Sequence, residues 1–334
     1  MLVGGCATLS WYGQAVHGQL DLLSKRELIA DLVNDPATDP ELSRRLALVL
    51  EIRQFAHAEL GLPDSRSYRH YADLEREAAV WNVVATPAYS LSPKTWCYPV
   101  AGCLAYRGYF SLERARDQAR KLADDGHDVA VSPAVAYSTL GWFADPVLNT
   151  MMAWDDARLA GFIFHELAHE KLFVRGDTAF NEAYATLVER HGVRRWLVHR
   201  GEDDQLADWE ADRALSARLI DALLAARVRL VRLYDQALTD SEMARAKQAE
   251  FERLTDELRQ LGQTLGTDRF DGWTRQPLNN AHLALVATYE DGVGAFERLL
   301  EQCDNDLTCL HQRAAELAAG ESDARRAFLQ DQAD

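Results

Sequence analysis

Two histidines and a glutamate lie close together in the middle of the chain, at His165, Glu166 and His169. Residues four apart on a helix share a face, so both imidazoles can direct a ring nitrogen at one Zn²⁺ ion. Glu166 directly follows the first histidine, which places its carboxylate beside the metal rather than on it. Because such a carboxylate can take a proton from a bound water, the spacing predicts hydrolytic metal chemistry.

The neighbouring sequence indicates a buried site with room for a water. The motif lies in an apolar segment that includes Phe162 and Leu167, where buried imidazoles and carboxylates need partners. No cysteine lies near it, whereas structural zinc sites usually use cysteine and four protein ligands; a hydrolytic site uses three. The third ligand should be a carboxylate or a histidine. A short turn at 175–177 would let an antiparallel helix bring Glu182 back to the metal.

The block from His165 to Glu182 resembles the gluzincin metallopeptidases, which combine HExxH with a glutamate ligand in an Asn-Glu dipeptide on the next helix. Most of the chain is also similar to a bacterial family of lipoproteins described as zinc aminopeptidases. The resemblance implies one zinc ion per chain, held by His165, His169 and Glu182. It further implies Glu166 as the general base, Asn181 as a supporting residue and peptides as substrates.

One position departs from the thermolysin-like gluzincins. Those enzymes have an aspartate four residues after the ligand glutamate, and it orients a metal-binding histidine. This chain has Thr186 at that place. Glu189 and His191 are both candidates for the orienting group, and the sequence leaves the choice between them open.

Two further features are candidates for substrate contacts. Gluzincins commonly stabilise the oxyanion with a tyrosine or a histidine, and Tyr289 is a candidate for that part; a core tyrosine is the alternative. Pro133 cannot donate a backbone hydrogen bond, so the strand predicted at 128–137 should lie at a sheet edge. Peptides can pair with a free edge, which makes residues 132–143 the candidate substrate rim; plain sheet core is the alternative.

The five cysteines predict disulfides and an oxidising location. Cys97 and Cys103, and likewise Cys303 and Cys309, are local pairs with five intervening residues, unlike the CxxC spacing of zinc knuckles. Cys6 follows an aliphatic residue and two glycines, which resembles a bacterial lipobox. We therefore expect a lipoprotein of the bacterial cell envelope that faces the periplasm. Four reduced thiols and an unmodified Cys6 are the alternatives.

Composition and charge narrow the classes of partner. The chain has 334 residues, of which 48% are hydrophobic, and a formal net charge of −16. An ordinary apolar content predicts a globular protein, and the negative charge disfavours nucleic acid as a partner. No run of 18 or more apolar residues occurs, so we expect membrane attachment only through lipid on Cys6. The oligomeric state stays open.

The hydrophobic periodicity predicts an α+β fold that is predominantly helical. It has a small β-sheet in the N-terminal half, with an edge strand before a zincin-like active-site helix, and then a helical C-terminal half. The predicted helices are 14–32, 39–61, 111–124, 155–171, 179–200, 203–235, 240–263, 277–302 and 306–329, and the predicted strands are 80–85, 98–110 and 128–137. We expect residues 1–13 to be a lipobox remnant and linker, 14–150 a lobe with the sheet and the substrate edge, and 151–334 a helical lobe with the HExxH helix, the Glu-ligand helix and a long helical hairpin.

The function that these features favour is zinc-dependent peptide hydrolysis. The assignment to an aminopeptidase rests on the resemblance alone. An endopeptidase with the same site, and a noncatalytic envelope scaffold that retains its zinc, are the alternatives.

Overall fold

The computed structural model describes residues 4–98, 102–136, 138–139, 143–284, 286 and 292–330. It is 63% helical, which confirms the predominantly helical α+β class. The helices in these ranges are α1 Gly4–Ser24, α2 Ile29–Asn34, α3 Pro40–Ala58, α4 Leu112–Asp124, α5 Asp156–Lys171, α6 Thr178–Arg200, α7 Asp203–Tyr234, α8 Asp240–Leu265, α9 Asp271–Thr274, α10 Asn280–Leu283, α11 Val293–Gln302, α12 Leu307–Ala319 and α13 Ser322–Gln330.

The strands are short and form three small sheets. They are β1 Arg26–Leu28, β2 His70–Ala72, β3 Val80–Pro87, β4 Trp96–Tyr98, β5 Gly102–Leu104, β6 Arg107–Tyr109, β7 His127–Ala134 and β8 Val147–Leu148. One sheet has the order β1-β2-β8, another has the order β6-β3-β7, and β4 and β5 form a hairpin. β7 contains Pro133 and is an outer strand of its sheet, as the missing amide of proline predicted.

Four predicted elements are interrupted in the structure. The helix predicted at 14–32 is divided into α1 and α2, because the short strand β1 lies between them. The strand predicted at 98–110 is divided between β5 and β6 by a bend at 105–106. The helix predicted at 277–302 is broken before α11, where Gly292 has φ +90°, a left-handed conformation that few other residues adopt. The helix predicted at 306–329 is two helices, because α12 ends at Gly320.

The chain divides into two compact units. One unit comprises Met1–Val80, Pro133–Leu206 and Thr288–Asp334, and the other comprises Trp81–Ser132 and Ala207–Ala287. All residues of the predicted metal site belong to the first unit.

The first unit is centred on α5 and α6, which run antiparallel. Gly161, early in α5, lies against Val193, late in α6. Side-chain caps fix both helix starts, since Asp155 accepts a hydrogen bond from the backbone amide of Arg158 and Asp177 accepts one from that of Phe180. The largest fully buried side chains of the unit include Trp196, Tyr68, Tyr184, Phe164, Phe180 and Phe296. The core thus holds the two motif-bearing helices in register.

The second unit contains the predicted helical hairpin, formed by α7 and α8. Its turn ends at Thr239, which caps α8 together with Glu242. Buried leucines of the two helices, including Leu223 and Leu254, form one apolar cluster. Asn280 of α10 joins this unit's other elements, because its amide donates to the carbonyl of Ala88 at 3.0 Å and its carbonyl accepts from the Tyr234 hydroxyl at 2.7 Å.

Both predicted disulfides are present. Cys97 and Cys103 are partners across the antiparallel pair β4 and β5, and the bond between Cys303 and Cys309 links the end of α11 to the first turn of α12. None of the helices in the described part of the chain combines the length and the apolar content that a bilayer span requires.

Candidate metal centre

Two neighbouring helices bring the predicted ligands together. His165 and His169 lie one turn apart on α5, and Glu182 lies in the second turn of α6. The connection between the helices is held by Asn181, whose side-chain amide donates to the carbonyl of Val174 and whose side-chain carbonyl accepts from the amide of the same residue, both at 2.8 Å. These two hydrogen bonds fix the turn between α5 and α6. They therefore place Glu182, the next residue, beside the two histidines.

The ligand atoms of His165, His169 and Glu182 all lie within 4.8 Å of one another. The Nε2 atoms of the two histidines are 3.1 Å apart. Glu182 places one carboxylate oxygen 3.4 Å from Nε2 of His165 and the other 3.7 Å from Nε2 of His169. Two nitrogens and one carboxylate thus converge on a single point.

These residues fit a zinc ion by their chemistry and by their unsatisfied atoms. Zinc prefers nitrogen and carboxylate donors, and a set of three protein ligands leaves one position open. Two imidazole nitrogens that face each other at 3.1 Å need a proton or a cation between them. The other ring nitrogen of His169, Nδ1, is buried and has no hydrogen-bond partner within the described ranges. Among the described residues, this is the one cluster of three histidine, cysteine or acidic side chains close enough together to hold a metal ion.

In the absence of a metal, the electrostatics of the cluster favour a protonated His165 beside a neutral His169. Burial opposes the charged form of His165, but hydrogen bonds to Glu182 and Glu189 raise its pKa above the ordinary value. Burial and the neighbouring charge of His165 lower the pKa of His169. Burial would raise the pKa of Glu182, yet its hydrogen bond from His165 and the charges of both histidines lower it overall. A metal ion would replace the proton that His165 holds.

Glu189 is the group that orients His165. One of its carboxylate oxygens lies 3.0 Å from Nδ1 of His165, whereas the other ring nitrogen, Nε2, faces His169 and Glu182. Sequence reasoning left Glu189 and His191 as alternatives, and the structure brings Glu189 to the ligand. His191 has a buried Nε2 without a partner in the described residues, and burial lowers its pKa. Glu189 lies seven residues after Glu182, two helical turns along the same face.

Glu166 lies beside the cluster and is half-buried. Burial raises the pKa of Glu166 to about 7, although the charge of His165 and a hydrogen bond from Ser138 act in the opposite direction. A carboxylate with a pKa near neutrality is suited to both accept and release a proton at neutral pH.

The remaining predicted residues have different outcomes. Tyr289 lies outside the described residues, so its part in catalysis stays a prediction. The candidate substrate rim at 132–143 is described except at residues 137 and 140–142, and its member Ser138 reaches Glu166. Sequence reasoning missed Asp145 and Tyr68, which surround this contact. Tyr68 is far from α5 in the chain, Asp145 lies in the segment that precedes α5, and a single sequence gave no signal that would bring either of them to Glu166.

Comparison with known proteins assigns the family. A family model described as "Putative aminopeptidase" matches residues 10–329, almost the whole chain. The chain belongs to this family. Neither the curated proteins nor the solved structures include a significant match. Family membership supports a peptidase-type hydrolase that acts on peptides.

Proposed function

We propose that this protein is a zinc-dependent aminopeptidase with His165, His169 and Glu182 as the metal ligands. The observation that carries the proposal is the convergence of these three side chains, with Glu166 beside them, in a member of an aminopeptidase family. The ligand set supports zinc in particular, because two imidazoles and one carboxylate with an open position are typical of hydrolytic zinc sites. The site is that of the gluzincin peptidases in its ligands and spacing.

The chemistry divides between the metal and the protein. A zinc ion in this site would lower the pKa of a bound water towards 7 and polarise the scissile carbonyl. Glu166 accepts the proton of the attacking water, and the same carboxyl then gives a proton to the departing amine. Burial raises the pKa of Glu166 to about 7, which supports a carboxyl that takes up a proton in the first step and releases it in the second. Glu189 holds the ring of His165 by its Nδ1, so that Nε2 keeps facing the metal.

The cell envelope is the proposed location. The two disulfides support it, because such bonds persist in oxidising compartments. The lipobox-like residues before Cys6 support a lipid anchor there. Mass spectrometry of the protein from membrane fractions tests both: an unmodified Cys6 and four free thiols would contradict the proposal.

Metal analysis combined with two peptide series tests the proposed activity. Purified protein should contain close to one zinc per chain, and His165→Ala should contain almost none. The wild type should remove residues one at a time from peptides with a free amino terminus and leave acetylated peptides intact. Equal internal cleavage of both series would make the protein an endopeptidase, and full zinc content without cleavage would favour a scaffold. A metal-free wild type, purified without chelator, would refute the metal site.

A further inference from the structure

An exposed aromatic ring lies beside the candidate metal centre. Phe173 is 48% exposed and lies two residues beyond the end of α5. Its ring meets the ring of His169 nearly at right angles, with 6.2 Å between the two centroids and 81° between the two planes. This distance and this angle are typical of an edge-to-face aromatic contact. One part of the Phe173 ring therefore contacts a proposed metal ligand, and another part faces solvent.

The backbone on both sides of Phe173 is held by hydrogen bonds. The amide of Leu172 donates to the carbonyl of Ala168 at 2.9 Å, where α5 ends. The side chain of Asn181 makes two hydrogen bonds of 2.8 Å with the backbone of Val174. Phe173 lies between these two anchored residues. A side chain on a fixed backbone loses less freedom when it binds a ligand than one on a free loop.

Packing within the unit leaves much of the apolar surface of Phe173 unused. A phenylalanine stabilises the folded state through the apolar area that it removes from water, and about half of this side chain stays in water. Single exposed apolar residues are common on protein surfaces and need no special explanation. Phe173 differs from such residues in its place, because its ring contacts the imidazole of a proposed metal ligand.

A peptide at the metal centre has side chains within reach of this ring. Nε2 of His169 lies 3.1 Å from Nε2 of His165 and 3.7 Å from the carboxylate of Glu182, where the proposed function places the scissile bond. An extended peptide advances about 3.3–3.6 Å per residue, so the side chains next to that bond lie within two residue lengths of it. That reach is similar to the 6.2 Å between the rings of His169 and Phe173.

We propose that Phe173 is a specificity-determining residue, whose exposed ring packs against an apolar side chain of the substrate next to the scissile bond. Burial of apolar surface against the ring favours a large apolar side chain, such as that of leucine, over the methyl group of alanine at this position. The inference rests on the proposed peptidase function, because it names the class of substrate that the same site prefers.

Two substitutions of Phe173 and two peptide series test this preference. Phe173→Ala removes the ring, whereas Phe173→Leu keeps a large apolar side chain. The peptides have a free amino terminus and carry leucine or alanine as the first residue in one series and as the second residue in the other. In Phe173→Ala we expect the ratio of kcat/KM for leucine to that for alanine to fall about tenfold in one series. In Phe173→Leu that ratio should stay within about threefold of the wild type.

Val198→Ala is the matched control. Val198 is an exposed apolar residue of the same unit, but it lies sixteen residues after Glu182, about 24 Å along α6. This variant should keep the leucine-to-alanine ratio of the wild type in both series. An unchanged ratio in Phe173→Ala, or an equal change in Val198→Ala, would overturn the inference.

Zinc content separates this role from a purely structural one. If Phe173 only held His169 in place, its loss would weaken zinc binding and slow the cleavage of every peptide by the same factor. We expect Phe173→Ala instead to keep the zinc content and the melting temperature of the wild type. Loss of zinc, or a uniform decrease of kcat/KM for the leucine and alanine peptides, would contradict a role in specificity.

Calorimetry supplies a readout that does not depend on turnover. Zinc-loaded Glu166→Gln should leave the peptides intact, so their binding can be measured directly. Adding Phe173→Ala to this variant should weaken the binding of the leucine peptide about tenfold and change that of the alanine peptide less than threefold. Equal effects on both peptides would overturn the inference but leave the peptidase proposal standing. A zinc-loaded wild type that cleaves none of the peptides would overturn the proposed function, a result that the binding measurement distinguishes from a failure of the inference.

Discussion

His165 has a partner at both ring nitrogens, which makes its orientation the most strongly constrained of the three proposed ligands. Nδ1 lies 3.0 Å from Glu189, and Nε2 faces His169 and Glu182. A carboxylate on the far nitrogen fixes the tautomer of a ligand imidazole and raises its basicity. The affinity for zinc should therefore depend on the surroundings of His165, and this can be measured without a substrate.

Removing the charge of Glu189 should weaken zinc binding. Glu189→Gln keeps the shape of the side chain but no longer offers a carboxylate to His165, and we expect the zinc Kd to rise about 10–100-fold. Competition with a chromogenic chelator measures this change. Glu59→Gln, which alters an exposed ion pair with Arg195 on the same unit, is the matched control and should leave the Kd unchanged. Equal affinities in all three proteins would remove Glu189 from the support of the metal centre.

Zinc binding should also depend on pH through His165. Its pKa is raised, so the metal-free protein carries a proton on His165 at neutral pH, and zinc must displace it. The affinity should therefore increase about tenfold per pH unit between about pH 6 and pH 8 and decrease as the pH falls. Calorimetry in buffers of different ionisation enthalpy counts the released proton. An affinity that is flat over this range would contradict the raised pKa.

At the scale of the elements, the close approach of α5 and α6 positions the ligands. Gly192 on α6 has no side chain, and an added Cβ would lie 2.7 Å from a methyl carbon of Leu60 and 2.9 Å from the ring of Phe164. All three residues are buried, so this part of the interface leaves no space for a larger residue.

A methyl group at this position should loosen the helix pair. We expect Gly192→Ala to lower the free energy of unfolding by about 1–3 kcal/mol, because overpacking outweighs the helix propensity that alanine adds. Gly13→Ala in α1 is the matched control, since nothing lies within 4 Å of its added Cβ. That variant should be neutral or slightly more stable. Denaturant unfolding measures both, and a stabilised Gly192→Ala would show that α5 and α6 are less closely packed.

The same elements show what the sequence could and could not predict. Helices α5 and α6 were predicted to within one residue at each end, because their caps and apolar spacing are local signals. The breaks before Gly292 and after α12 were missed, because a glycine within a periodic segment does not by itself reveal whether the chain leaves the helix there. The choice of Glu189 over His191 depends on how two helices pack, and the contact of Ser138 with Glu166 joins two segments through tertiary structure. The spacing of residues along the chain predicts neither of these contacts.

At the scale of the whole molecule, the candidate metal centre lies within one of the two compact units. Its ligands, Glu189 and Glu166 all come from Pro133–Leu206. A metal that binds the folded unit and not the unfolded chain stabilises that unit by mass action, by about 2.7 kcal/mol at a free concentration of 100 Kd.

Zinc should therefore protect one unit selectively. Backbone amides of α5 and α6 should exchange with deuterium more slowly in zinc-loaded protein than in chelator-treated protein. The buried part of α8, around Leu254 and Leu258, belongs to the other unit and is the internal control. Hydrogen exchange followed by mass spectrometry resolves the two. If α8 gained as much protection as α5, the stabilisation would not be confined to the unit that binds the metal.

The most direct test of the central claim is the substitution Glu166→Gln. The glutamine keeps the size of the side chain but cannot accept the proton of the attacking water. The account predicts a zinc content and a melting temperature close to those of the wild type, with a turnover about 10²–10⁴-fold lower on peptides with a free amino terminus. Loss of zinc would instead make Glu166 a ligand. Retention of both zinc and full turnover would contradict Glu166 as the general base of this site.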